Sequence, residues 1–140
     1  MTKRATMLDT NVVSEMLRVG ENASVAKFVA ELPAPLLSVV VFHELGYGVE
    51  LLPVGARKAR FAANIEAIRR QFEDCIVEID STISRVSGEM RARVELRGGE
   101  LKPMDALIAA SALTRAARLA TRNTRHFQNL GIDLVDPWKD

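Results

Sequence analysis

Four polar residues stand where the chain passes between strand-like and helix-like stretches, and their types can do metal chemistry: Asp9, Glu44, Asp105 and Asn123. Asp9 closes a short apolar run (Ala5, Met7, Leu8). Thr10 and Asn11 then supply turn-and-cap chemistry before the helical spacing of Val12, Val13, Met16 and Leu17. Glu44 follows the run LLSV, Asp105 lies two residues after Pro103 in an alanine-rich helix, and Asn123 lies two residues beyond LAT. In open α/β sheets ligands bind just beyond the carboxyl ends of strands. An acid there is badly placed for a core and well placed for a cation. Each also has a plain structural role: Asp9 as a helix N-cap, Asp105 beside a helix dipole worth about 0.3–1 kcal/mol, Glu44 as a solvated acid and Asn123 as a turn residue. Together they favour function. Two carboxylates about 4 Å apart repel by roughly 4 kcal/mol at an effective dielectric near 20, so a cluster takes up protons or binds a cation. All-oxygen donors select a hard ion, Mg²⁺ or Mn²⁺. No Cys/His spacing supports zinc.

The elements that must position these groups alternate. The pattern predicts a strand at 6–8, helices at 12–17 and 24–32, a strand at 36–39, and a helix with Val41, Leu45, Val49 and Leu52 on one face. A helix at 56–72, the strand CIVEI, a helix at 81–96 stopped by Gly98-Gly99, and a helix at 104–117 opened by Pro103 follow. Strand LAT, the turn-like RNTRHF and a last strand near Leu134 close the pattern. Strand–helix alternation argues for an α/β fold with a mainly parallel sheet of four or five short strands and helices on both faces.

Residues 1–140 read as a single domain with no linker or repeat, and 48% apolar residues suffice for one core. A net charge of +1 does not by itself steer the chain to nucleic acid. The single cysteine, Cys75, excludes an internal disulfide and reads as a buried structural thiol. Two bases near the N-terminus lack an apolar signal core behind them, and the apolar stretch 35–42 is far short of a membrane span. The expected location is cytoplasmic, with no membrane partner.

The segments MLDTNVVSEMLR, LLSVVVFHELGYGV, KPMDALIAASAL and LATRNTRHF resemble the four motifs of PIN-domain ribonucleases, and more narrowly those of VapC-type toxins of toxin–antitoxin pairs. The likeness spans nearly the whole chain, including the closing DPW. It implies a three-layer α/β/α PIN-like domain and Mg²⁺-dependent hydrolysis of RNA, with Mn²⁺ as a substitute. Carried over by position, the metal-binding acids fall on Asp9, Glu44 and Asp105. The fourth acidic position falls on Asn123, a departure that weakens a second metal site. Asn11, Ser38 and Thr121 match polar residues supporting the acids. The resemblance also implies a small antitoxin that wraps the helices and blocks the acidic pocket, and a homodimer.

RNA needs cations at its phosphates. Arg115, Arg118, Arg122 and Arg125 lie near the third and fourth acids in sequence, and Arg122 and Arg125, flanking Asn123, are the stronger candidates. Arg85, Arg91, Arg93 and Arg97, interleaved with Glu89 and Glu95, read instead as a solvated helix face. Val12, Val13, Met16 and Leu17, with Val25, Phe28, Val29 and Leu32, are more apolar than two short edge helices require, which suits an amphipathic partner. Trp138 reads as a packing anchor. An aspartyl-phosphate phosphohydrolase would need a second acid where this chain has Asn11. The rival from another class is a weakly active PIN module working mainly in a DNA-binding complex with its antitoxin, an idea to which Asn123 lends weight.

Overall fold

A computed structural model describes residues 4–139; Lys3, one of the two N-terminal bases, lies outside them. The elements run β1 (Thr6–Leu8), α1 (Thr10–Met16), α2 (Ala23–Ala30), β2 (Pro35–Ser38), α3 (Val40–Glu50), α4 (Ala56–Gln71), β3 (Ile76–Val77), α5 (Ser81–Leu96), α6 (Pro103–Thr114), β4 (Arg118–Ala120) and β5 (Leu134–Val135). One five-stranded sheet has the order β3-β2-β1-β4-β5, and every pairing is parallel. Parallel neighbours require crossovers, and right-handed crossovers put α1 to α4 over one face and α5 with α6 over the other. The result is a three-layer α/β/α domain.

β1 is the central strand, and all three of its residues are buried. Leu8, Leu37, Ile83, Met90, Ile108, Leu119 and Phe127 join Met7 in a continuous core, each burial contributing about 1.5–3 kcal/mol. On α6, Ala106, Ala109, Ala110 and Ala112 are fully buried, so small side chains let this helix lie close to the strands. Pro35 opens β2, the strand position that tolerates a missing N–H, while Ala34 O accepts from Thr6 N–H at 3.0 Å. Gly98, at φ +86°, supplies the left-handed residue just past α5. Asp80 caps the other end of α5, its Oδ1 accepting from Ile83 N–H at 2.8 Å. Asp80→Ala should therefore cost about 1 kcal/mol, read as a lowered urea midpoint at unchanged m-value.

Four expectations need correction. The alanine-rich helix ends at Thr114 rather than 117. Ala116 takes φ +51°, Ala117 N–H turns back to Ala112 O at 2.9 Å, and Arg118 N–H is drawn to Ala5 O to begin β4. The front of CIVEI is a 3₁₀ turn, Glu73–Cys75, and only Ile76 and Val77 pair, with the single neighbour β2. Cys75 is a free, half-buried thiol against the core. Val12, Val13 and Val25 are wholly buried and Leu17 nearly so, so these four serve the core and not a partner groove; Met16, Phe28, Val29 and Leu32 are only half-buried. The acidic–basic face of α5 is as read, with Arg85 and Arg93 both bridging to Glu89 and Arg91 to Glu95. Among the described residues no helix is long and apolar enough to cross a membrane.

Candidate active site

The strand order reverses at β1: the chain steps to β2 and β3 on one side, then crosses to β4 and β5 on the other. The crevice outside the carboxyl ends of β1 and β4 is thus the switch point, where open α/β sheets bind ligands. Asp9 leaves β1 there and Thr121 leaves β4. Asp9 N–H bonds Ala120 O at 3.0 Å and Thr121 N–H bonds Val135 O at 2.9 Å, so the sheet itself fixes both residues.

Asp9 is only 5% exposed. Its Oδ1 accepts from Thr10 N–H and its Oδ2 from the Thr121 hydroxyl, both at 2.8 Å. The Thr121 oxygen also accepts from Asn123 N–H at 3.0 Å and Asn11 Nδ2 at 3.4 Å. Asn11 Oδ1 accepts from Arg122 N–H at 3.3 Å. An N-cap side chain ordinarily accepts from the second or third helical N–H. Asp9 takes only the first, so it begins α1 without the usual cap geometry.

A pocket of about 470 Å³ opens above these groups, and Asp9, Asn11, Glu44, Asp105, Arg122 and Asn123 all line it. Thr121 supports Asp9 from beneath. Ser38 is wholly buried away from the pocket, its Oγ accepting from Val40 N–H at 3.2 Å; it shapes the start of α3, the helix that carries Glu44. Arg125 is exposed and lies outside the pocket wall. Arg118 sits at the opposite end of the strands, with Nε donating to Thr6 Oγ1 at 2.8 Å and the guanidinium over Phe28. Arg115 caps the far end of α6 from Asp105. Neither serves this pocket.

Burial pushes the Asp9 carboxyl up to about 6, against the pull of its Thr121 and Thr10 hydrogen bonds, and the Asp105 and Glu44 charges add to the rise. Asp105, half-buried, is raised first by burial and then by Glu44, with His126 and Lys102 opposing. The acids feel one another through their charges. Among the described residues no group of three or more His, Cys, Asp or Glu side chains is arranged to hold a metal ion; Asp9, Glu44 and Asp105 line one pocket without closing on a common point.

Sequence reasoning missed four features of the wall. The Thr10 hydroxyl donates to Glu44 Oε1 at 2.5 Å, tying α1 to α3. Ser14 lines the pocket one turn further along α1. Glu15 is 4% exposed and accepts from Arg18 at 3.0 Å and from Asn22 N–H at 3.1 Å, so Arg18 is held at the rim. The usable signal was the polar stripe Asn11, Ser14, Glu15, Arg18, at the 3–4 residue spacing of one helix face. Trp138, read as a packing anchor, also lines the pocket, with Arg122 over its ring.

The sheet is all-parallel, helices cover both its faces, and acidic side chains line a pocket at the switch point, which defines the class as a three-layer α/β/α domain with an acidic crevice at the strand ends. The PIN domain family matches residues 6–132, and the chain belongs to that family. It is 33% identical to plasmid stability protein StbB of Pseudomonas syringae pv. tomato, over 95% of this chain and 98% of that one. It is 29% identical to VapC ribonuclease Y4jK of Sinorhizobium fredii, over 95% and 97%. Toxin FitB of Neisseria gonorrhoeae shares 31% over 96% and 99%. The crystal structure of FitAcB from that organism superposes with a TM-score of 0.87 at 30% identity, covering 96% of this chain and 99% of its counterpart.

Proposed function

We propose that this chain is a metal-dependent endoribonuclease, the toxin of a VapBC-type toxin–antitoxin pair, held in check by a cognate antitoxin. The observation that carries the reading is the meeting of Asp9, Glu44 and Asp105 in one pocket at the switch point. The ribonuclease name of Y4jK and the toxin name of FitB support it.

Asp9 and Asp105 would hold Mg²⁺, or Mn²⁺ in its place, with Glu44 beside them in the same pocket. Such an ion would supply Lewis-acid chemistry to a phosphoryl oxygen and to an attacking water. The chain's own groups do the rest. Thr121 and Thr10 fix the Asp9 carboxylate, Asn11 steadies Thr121, and Thr10 holds Glu44. Asn123 offers a neutral carbonyl, a weaker acceptor than a carboxylate. Arg122 takes an RNA phosphate at the pocket wall, and exposed Arg125 meets the strand beyond it. Antitoxin binding fits the groove of about 380 Å³ between α1 and α4, where exposed Val19 and half-buried Phe61 are flanked by Arg18, Arg57 and Arg60. Exposed Tyr47 and Leu51 offer apolar surface for a homodimer. The protein works in the cytoplasm, where RNA is met and Cys75 stays reduced.

The test uses the protein freed of antitoxin, structured RNA, and EDTA followed by Mg²⁺ or Mn²⁺. Discrete cleavage that stops with EDTA and resumes with the ion is expected. The second reading, a feeble PIN module serving a DNA-bound complex, is favoured by Asn123 and by the FitAB structure solved with a DNA fragment. Tight operator binding by the complex with no metal-dependent RNA cleavage would select it.

A further inference from the structure

Several arginines of the protein are tethered through their donors. Arg18 is tied to Glu15 at 3.0 Å, Arg69 to Glu66 at 2.6 Å and Arg85 to Glu89 at 2.8 Å. Arg122 is held otherwise. Its guanidinium lies over the indole of Trp138, 5.0 Å from the ring centroid. Among the described residues no side-chain or backbone acceptor takes its guanidinium N–H groups, although its backbone N–H is bound by Asn11. A π face attracts a cation without using any of its five N–H donors. Such a guanidinium is restrained yet fully available for bidentate hydrogen bonding to a phosphate.

The ring beneath it is itself fixed. Asp136 Oδ1 accepts from Trp138 N–H at 2.9 Å. The Ser24 hydroxyl of α2 donates to Pro137 O at 2.8 Å, Pro137 is buried, and Trp138 packs partly against the core. The chain after β5 is thereby pinned to α2, and its aromatic side chain is delivered to the wall that Asp9 and Asp105 share.

We propose that Trp138 is a positioning residue for RNA cleavage, holding Arg122 over the acidic pocket with its donors free for the substrate phosphate. The proposal rests on the ribonuclease reading above and adds to it a residue that touches neither metal nor scissile bond. The pair works as one unit, so removing either member removes the same phosphate contact. An aromatic ring of another kind preserves part of the effect, because Phe also presents a negative face, though a weaker one than Trp.

Trp138 is the single tryptophan of the chain, so its emission reports on the pair directly. Two measurements are made, on the full chain freed of antitoxin. In the first, Arg122→Ala should shift the emission of the metal-free protein, and a short RNA titrated without divalent ion should shift it in wild type but not in Arg122→Ala. In the second, kcat/KM with Mg²⁺ should fall about tenfold in Trp138→Ala, recover most of that in Trp138→Phe, and fall no further in Trp138→Ala/Arg122→Ala than in Arg122→Ala alone. The slope of log kcat/KM against log salt should flatten by roughly 0.7, one single-strand phosphate contact, equally in both single variants. Additive losses, an unaltered salt slope in Trp138→Ala, or emission indifferent to Arg122 would overturn the proposal. A wild type that cleaves no RNA brings down the ribonuclease reading instead, and the emission shifts then still report whether the Trp138–Arg122 pair receives a phosphate.

Discussion

Asp105→Asn and Asp9→Asn should each lower metal-dependent RNA cleavage roughly a thousandfold, about 4 kcal/mol of barrier. Each substitution keeps the shape of the side chain and removes the charge that holds the ion. The two carboxylates come from opposite ends of the sequence, Asp9 from the exit of β1 and Asp105 from the first turn of α6. A shared loss would therefore report a shared ion. The readout is kcat on structured RNA at saturating Mg²⁺, with far-UV circular dichroism to show an intact fold. Activity within tenfold of wild type in Asp105→Asn would move the chemistry elsewhere.

The second expected result runs in the opposite direction. Asp9→Asn should stabilise the metal-free protein at pH 7 while it destroys activity. The Asp9 carboxyl rises from an ordinary 3.8 to about 6 in the fold, so between those values the folded chain binds the extra proton. Stability is then greatest below about pH 4, falls as pH rises toward 6, and stays low above it. At about 1.4 kcal/mol per pH unit the interval amounts to about 3 kcal/mol, an upper figure because Asn also loses part of the bonding to Thr121 and Thr10. Asp105, raised as well, adds to the same slope. Urea unfolding at pH 4, 5, 6 and 7 with EDTA should show the decline in wild type and a flatter profile in Asp9→Asn. Added Mg²⁺ should restore stability to wild type at pH 7 by binding the folded state alone. A wild-type profile that rises from pH 4 to 7 would contradict the burial argument.

Much of this architecture is legible in the sequence because its signals are local. Asp9 and Asp105 announce themselves as acids at a strand end and a helix start, and Pro103, Gly98 and the apolar spacings bound the helices; Glu44, expected at the start of its helix, instead stands a full turn inside α3. What stays hidden depends on neighbours. Ala116 adopts a left-handed conformation that its own chemistry disfavours, because β4 must reach β1. Val12, Val13 and Val25 look like an interface until the sheet beneath them is in place. Nothing local in the sequence singles out Glu15, and only its burial against Arg18 and Asn22 N–H shows it bracing the rim. Trp138 has no periodic pattern around it that would point to a pocket.

The β1–β4 pairing joins Asp9 to Thr121 across 112 positions, and Trp138 comes later still. Synthesis proceeds from the N-terminus, so a chain on the ribosome carries its first acid from the outset yet cannot assemble the pocket until those late residues emerge. Long-range parallel pairing is slow to form. Under the ribonuclease reading, an unfinished polypeptide has no assembled pocket with which to cut the RNA around it, and that interval is open to an inhibitor.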